Sequence, residues 1–207
     1  MDIRTMIAAQ RRELAELLAG LPAGDWDAPT LCEGWRVREV VAHMTLPFRT
    51  STPRFLLEMV KARGDVNRMA DTTARRDAAA LSTGELAASM RDNADTAWKP
   101  PGGGFVGALS HEVIHGLDIT VALGVDRPVP KDRMRPVLDG INARSVGFFG
   151  VDLAGVRLVA DDLDWTYGNG EVLGGSAQDL LLVLCGRKLP AGHLTGAPTG
   201  RFVQARR

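Results

Sequence analysis

Two histidines in the segment from residue 110 to residue 118 have a spacing that could bind a metal ion. His111 and His115 are four residues apart, and an α-helix places such positions on one face, one turn from each other. His43 lies in a second helical pattern, over residues 37–44. Three neutral imidazoles from two helices are typical of a catalytic metal site, in which water or a substrate completes the coordination. These three residues are therefore the candidate metal ligands.

The same segment also matches the H-E-x-x-H pattern of zinc-dependent proteases. Glu112 follows His111 directly, at the position of the glutamate that activates a water in those enzymes. Against this interpretation, the next histidine downstream is His193, in a Gly/Pro-rich stretch nearly eighty residues away. No substrate-binding edge strand is predicted before the helix. A metal-dependent hydrolase with Glu112 as its base remains the weaker alternative.

Small residues share the predicted helix face with the two histidines. Gly104, Gly107 and Ala108 would leave room for an ion and a bound ligand on this face. Asp118 follows His115 by one turn, where its carboxylate could orient an imidazole or pair with an arginine. It could equally be an exposed polar residue. We take Asp118 as a candidate that would hydrogen-bond to a ligand histidine without binding the ion itself.

The composition limits the class of protein. With 207 residues, 45% of them hydrophobic, the chain can form one domain and a small appendage. The formal net charge is zero and no long basic run indicates nucleic acid as a partner. No apolar run is long enough for a signal core or a membrane span, and the two cysteines give no disulfide framework. We expect a cytoplasmic protein that binds neither nucleic acid nor membrane.

Helical patterns fill the first three quarters of the chain. Besides the two histidine-bearing segments, apolar periodicity predicts helices over residues 3–18, 53–63, 82–98 and 130–149. Residues 64–80 are polar without a strong pattern, and we expect a mobile connection there. Two alternating segments then predict strands over residues 156–160 and 164–167, and a Gly-Asn-Gly turn leads to a short third strand over residues 171–173. A final helix is expected over residues 176–185. The predicted domains are a helical bundle over residues 1–150 and a short α+β region over residues 151–207.

The four tryptophans are expected to pack rather than to form platforms for a ligand. Trp26 and Trp35 flank the loop that precedes His43. Indole rings are large apolar groups that contribute to packing wherever they are buried. We expect these two to hold the loop against the bundle.

Three stretches of the sequence resemble the mycothiol-dependent maleylpyruvate isomerase family, within the wider group of DinB-like metal-binding bundles. The stretches are residues 26–43, 111–124 and 156–165. The resemblance implies a mainly α fold, a DinB-like four-helix bundle with a small α+β C-terminal appendage. It also implies metal ligands at His43, His111 and His115. The isomerase itself often has glutamate where this chain has His111, so the all-histidine set is closer to other DinB-like members.

The resemblance also implies a chemistry. The expected cofactor is a divalent metal ion, taken to be zinc, with mycothiol as the thiol cosubstrate. Thiol sulfur bound to such an ion is deprotonated near neutral pH and can add to an electrophilic carbon, which gives S-transfer or isomerisation. The implied partners are therefore a low-molecular-weight thiol and a small electrophile. A non-catalytic DinB-like metal-binding protein is the second alternative, and a homodimer stays open.

Overall fold

Helices form most of the chain in the computed structural model, which describes residues 1–205. The helices are α1 (Ile3–Gly20), α2 (Val37–Arg49), α3 (Thr52–Lys61), α4 (Val66–Ala80), α5 (Thr83–Asp92), α6 (Gly104–Thr120), α7 (Lys131–Asp139), α8 (Ala143–Phe149) and α9 (Ala177–Leu184). The strands are β1 (Val156–Ala160), β2 (Thr166–Gly168), β3 (Glu171–Gly175) and β4 (Leu194–Thr195). Two compact units divide the chain, Met1–Ile119 and Thr120–Arg207. The predicted fold class, a mainly α protein with a small α+β C-terminal part, is confirmed.

The first unit is a bundle of helices in which α1, α2, α5 and α6 are joined to one another and α4 packs against α2. Both α1 and α2 pack against α5. Hydrogen bonds or ring contacts join α6 to α1 through Glu112 and to α2 through His111. The buried core of this unit is made of aliphatic side chains, among them Leu14, Leu18, Val41, Met90, Leu109 and Leu117. The amphipathic periodicity that predicted α1 corresponds to the face that this helix buries, which includes Ile7, Leu14 and Leu18.

A buried ion pair joins α1 to α6. Nε of Arg11 donates to Oε1 of Glu112 at 3.0 Å, and neither side chain has any exposed surface. Nη1 of the same arginine donates to the carbonyl oxygens of Ala94 and Thr96 at 3.3 and 2.8 Å, just beyond the end of α5. One side chain therefore holds together two helices and the segment that leads from α5 to α6.

The mobile connection predicted over residues 64–80 is wrong, because most of this segment forms α4. The side chain of Asp65 accepts a hydrogen bond from the backbone N–H of Arg68 at 3.0 Å and so caps the helix. The helix packs against α2 with its small and weakly apolar side chains, of which Met69, Thr73, Ala74 and Ala78 are buried. Alanine and threonine give little contrast in hydropathy, which explains why the pattern was missed.

Two predicted helices also have different ends in the structure. The helix predicted over residues 82–98 ends at Asp92, so the segment that follows it is a loop. The helix predicted over residues 130–149 is two helices, α7 and α8. The side chain of Asn142 accepts from the backbone N–H groups of Arg144 and Ser145 and starts α8 as a new helix.

The second unit contains a four-stranded sheet in the order β2-β1-β3-β4. β1 pairs antiparallel with β2 and parallel with β3, and α9 packs against β1 and β3. The three predicted strands and the final helix are confirmed, and β4 adds a fourth strand from the Gly/Pro-rich tail. The predicted boundary at residue 150 marks the change from helix to strand, while the division into compact units falls after Ile119. As a domain boundary, residue 150 stays a prediction.

Within residues 1–205, none of the helices combines the length and the apolar character that a membrane crossing demands.

Replacement of Arg11 by methionine tests the role of the buried ion pair in folding. The substitution leaves the buried carboxylate of Glu112 without its cation, and we expect the free energy of unfolding to fall by about 3–5 kcal/mol. Denaturant unfolding followed by circular dichroism measures this change. The matched control is Arg12→Met, since Arg12 pairs with Asp95 at the surface and its loss should cost about 0–1 kcal/mol. Equal losses of unfolding free energy in Arg11→Met and Arg12→Met would contradict a special role of the buried ion pair in folding.

Candidate metal centre

The three histidines predicted as ligands lie together in the first unit. The ring centroids of His43 and His111 are 5.1 Å apart, and the ring of His115 lies 4.9 Å from each of them. One nitrogen from each ring lies within 4.8 Å of the other two. α2 supplies the first ring, and α6 supplies the other two from adjacent turns. The spacing of four residues thus produces the predicted arrangement, and metal ligation itself stays a prediction.

The donor set and the distance between two of the three nitrogens fit a zinc-like ion. Nε2 of His43 and Nε2 of His111 are 3.2 Å apart. Two nitrogens of a tetrahedral zinc site with bonds of 2.0–2.1 Å would be roughly 3.3 Å apart. The side chains of His111 and His115 keep 15% and 14% of their surface exposed, so a small ligand can reach the rings from solvent.

His43 is held neutral by its surroundings. Burial lowers the pKa of this imidazole well below its ordinary value, and the neighbouring rings of His115 and His111 lower the pKa further. Its Nδ1 is buried without a hydrogen-bond partner among the described residues. A neutral ring has a lone pair to offer, so the environment of His43 favours a cation as its partner.

His115 is oriented by Asp118. Nδ1 of His115 and Oδ2 of Asp118 are 3.0 Å apart, and the aspartate is fully buried. A carboxylate at this distance accepts a hydrogen bond from Nδ1–H, which leaves Nε2 as the nitrogen that can bind an ion. The backbone oxygen of Asp118 also accepts from the N–H of Leu31 at 3.0 Å, so the loop before α2 is joined to α6 beside the site.

The start of α2 is fixed by local hydrogen bonds. The carboxylate of Glu39 accepts from the backbone N–H of Arg36 at 2.9 Å and also binds its guanidinium. Burial raises the pKa of Glu39, but its hydrogen bonds with Arg36 outweigh this and leave the pKa below its usual value. The N–H of Val37 donates to the carbonyl of Ala28 at 3.1 Å. These bonds fix the residue at which α2 begins. They therefore fix the position of His43 along the helix, opposite α6.

Trp35 packs against His43 and is held by α4. The two ring centroids are 5.1 Å apart. Nε1 of the indole donates to Oδ1 of Asp71 at 2.8 Å, and Asp71 in turn pairs with Arg75. Arg75 also donates to the carbonyl of Gly34 at 3.0 Å. The sequence predicted the packing of Trp35 but gave no signal for Asp71, because α4 itself was missed.

Trp98 forms a second aromatic wall, at His111. Its ring centroid is 5.4 Å from that of the imidazole, and the indole is partly exposed. Pro100, two residues later, packs against Gly103 and Gly107, where an added Cβ would lie 2.9 and 3.2 Å from its Cγ. The glycines thus allow the proline to lie close to α6, and the proline holds the loop that carries Trp98. Both indoles pack as expected, and the groups they cover are imidazoles.

Glu112 faces α1 rather than the space between the imidazoles. Its Oε1 accepts from Arg11, and the same oxygen is 3.8 Å from Nδ1 of His111. Burial raises the pKa of Glu112, while contacts with His111 and Arg11 lower it and leave it below the usual value. The carboxylate is therefore ionised at neutral pH. It is engaged on the side away from the position where a protease would need its base.

The comparisons with known proteins agree with this fold. A family model described as the mycothiol maleylpyruvate isomerase N-terminal domain matches residues 7–120. Two similar crystal structures are those of the mycothiol-dependent maleylpyruvate isomerase and of a histidine-to-alanine mutant of it, at 14% and 13% sequence identity. Each has a TM-score of 0.56 and aligns over 95% of this chain and 92% of the other. At this identity the two structures show a shared fold. No curated protein matches the chain at a significant level.

Replacement of His43 by alanine tests whether the three rings bind one ion. Loss of one of three ligands should weaken cobalt(II) or zinc binding by more than about 100-fold, beyond the 10–100-fold effect of losing a supporting hydrogen bond. Titration against a competing chromophoric chelator measures the affinity. The control is His193→Ala, because His193 bonds to Asp179 in the second unit. Unchanged binding in His43→Ala would exclude a shared centre.

Proposed function

The chain belongs to the family of mycothiol maleylpyruvate isomerase N-terminal domains, and we propose that it is a metal-dependent enzyme that uses a low-molecular-weight thiol. The thiol is mycothiol or a close analogue, in keeping with the name of the family and of the two similar crystal structures. The second reactant is a small electrophile, which the enzyme isomerises or to which it transfers sulfur. Thiol-dependent isomerisation is the reaction that we favour.

The observation that carries the proposal is the convergence of His43, His111 and His115 on one point. We propose that these three imidazoles hold a divalent ion, most simply zinc. Such an ion would keep a bound thiol deprotonated at neutral pH, where a free thiol is mostly protonated. The three histidines then act as ligands and not as acid–base groups. Because all are neutral, the ligand set does not reduce the positive charge of the ion.

The residues around the imidazoles prepare them for this role. Asp118 holds the proton of His115 on Nδ1, so that Nε2 stays available as a donor. Trp35 covers His43 and restricts water on that side. Trp98, which is partly exposed, borders His111 and offers an apolar surface to the body of a bound reactant.

The contact of Glu112 with Arg11 disfavours the hydrolase alternative. A base on a bound water would have to direct its carboxylate toward the imidazole nitrogens that face the ion. The carboxylate of Glu112 instead binds Arg11 with both side chains fully buried. Release of the carboxylate for catalysis would leave a buried arginine without its partner, which is costly.

Thiol-dependent turnover is the experiment that tests the proposed function. The purified protein, loaded with zinc or stripped by a chelator, is incubated with mycothiol and conjugated electrophiles that include maleylpyruvate. We expect isomerisation or S-conjugation in the loaded protein, and loss of at least about 100-fold in His43→Ala, because the thiolate is no longer held. Product formation is followed by liquid chromatography and mass spectrometry.

The controls separate the alternatives. His193→Ala should retain full turnover, since this residue lies outside the centre. Normal turnover in metal-free protein would overturn the proposed mechanism. Metal-dependent melting with no turnover of any electrophile would favour a non-catalytic metal-binding protein. Thiol-independent hydrolysis that is lost in Glu112→Gln would favour the hydrolase.

A further inference from the structure

The outer nitrogens of the three imidazoles have different surroundings. Nδ1 of His115 has a carboxylate partner in Asp118, at 3.0 Å. Nδ1 of His111 is buried and has no hydrogen-bond partner among residues 1–205, and the nearest carboxylate oxygen, Oε1 of Glu112, is 3.8 Å away. Oε2 of Glu112 is also buried without a partner in this part of the chain. A donor and an acceptor with unused capacity therefore lie side by side.

If His111 binds an ion, its Nδ1 has to carry a proton. If Nε2 of His111 offers its lone pair to an ion, the ring stays neutral only with its hydrogen on Nδ1. A buried N–H without an acceptor costs free energy, and an ion on the ring makes this N–H a stronger donor. Glu112 is the acceptor within reach, since its Oε1 lies 3.8 Å from Nδ1 of His111.

We propose that Glu112 is a positioning residue for His111, whose carboxylate accepts the Nδ1–H of that imidazole when the centre holds its ion. The inference rests on the metal centre of the proposed function and adds a residue to it. Glu112 then supports His111 as Asp118 supports His115, with one carboxylate for each histidine of α6. The glutamate of the H-E-x-x-H pattern thus acts from outside the coordination sphere instead of as a base.

Arg11 holds this carboxylate in place. Its Nε binds Oε1 at 3.0 Å, and its Nη1 is tied to the carbonyls of Ala94 and Thr96. The guanidinium also offsets the charge of the glutamate, so that the carboxylate can lie beside the centre without adding net negative charge to the core. The arginine is thus part of the fold, and the glutamate serves both the fold and the site.

The competing explanation is that the ion pair between Arg11 and Glu112 serves only the fold. Removing each side chain separately distinguishes this explanation from a role of Glu112 at His111. If the pair only joins α1 to α6, loss of either side chain should affect metal binding alike, in proportion to the loss of stability. If Glu112 supports His111, only its removal should weaken binding. Removal of Arg11 leaves an uncompensated carboxylate beside the outer nitrogen of His111, which should keep or strengthen the binding of a cation by that ring.

Cobalt(II) alone is the probe, with no thiol or electrophile present. We expect Glu112→Gln to lower the cobalt affinity by roughly 10–100-fold, as does loss of a carboxylate that orients a ligand histidine. The d–d absorption bands should shift as well, because the electron donation of His111 changes. Asp118→Asn provides the reference for the size of this effect. Arg11→Met should bind cobalt at least as tightly as the wild type, although it unfolds more easily.

The double variant Arg11→Met/Glu112→Gln covers the case in which Glu112→Gln fails to fold. It removes both buried charges and should fold while showing the same weak cobalt binding. Wild-type affinity in this variant or in Glu112→Gln would overturn the inference and leave the proposed function standing. An equal loss of cobalt affinity in Arg11→Met would also overturn the inference, and would favour an ion pair that serves only the fold. A wild-type protein that binds no cobalt would remove the metal centre itself, and with it both proposals.

Discussion

Three imidazoles held about 5 Å apart impose a constraint on the whole helical unit. Polar rings inside a bundle are unfavourable unless each nitrogen has a partner. The bundle therefore has to supply a carboxylate, an aromatic face or an ion for every ring, and to hold two helices at a fixed height. The caps, the tryptophans and the buried ion pair all contribute to this arrangement. The centre thus explains why the polar groups of this core lie where they do.

The surroundings of the centre are asymmetric, and this asymmetry has a physical basis. The histidines of α6 have acidic neighbours on their own helix, Glu112 and Asp118. His43, from α2, has an indole beside it and no carboxylate at its outer nitrogen among residues 1–205. Its burial lowers the pKa and keeps the ring neutral without a hydrogen bond at Nδ1. His115 is thus oriented by a carboxylate and His43 by packing, while the nearest carboxylate oxygen to Nδ1 of His111 lies at 3.8 Å.

The parts of the site that could be predicted from the sequence are those with a local signature. The spacing of His111 and His115 on one helix face sets their geometry, and Asp118 follows at one further turn. Alternation of apolar and polar residues likewise predicted β1 and β2, and a Gly-Asn-Gly turn predicted β3. Long-range partners have no such signature: Asp71 lies on a helix with little hydropathy contrast, and Arg11 is paired across 101 residues. Their roles follow only from the packing of the bundle.

The close contact of Pro100 with Gly107 has an evolutionary consequence. A methyl group added at position 107 would meet the proline ring at 3.2 Å, and the loop would have to shift outward with its indole. Such a change would widen the space next to His111, while the hydrogen bond of His115 to Asp118 and the packing of His43 against Trp35 involve other residues. The wall beside His111 and the contacts of the other two imidazoles therefore depend on different residues, so that the space next to the rings can change through position 107 while the rings themselves are retained.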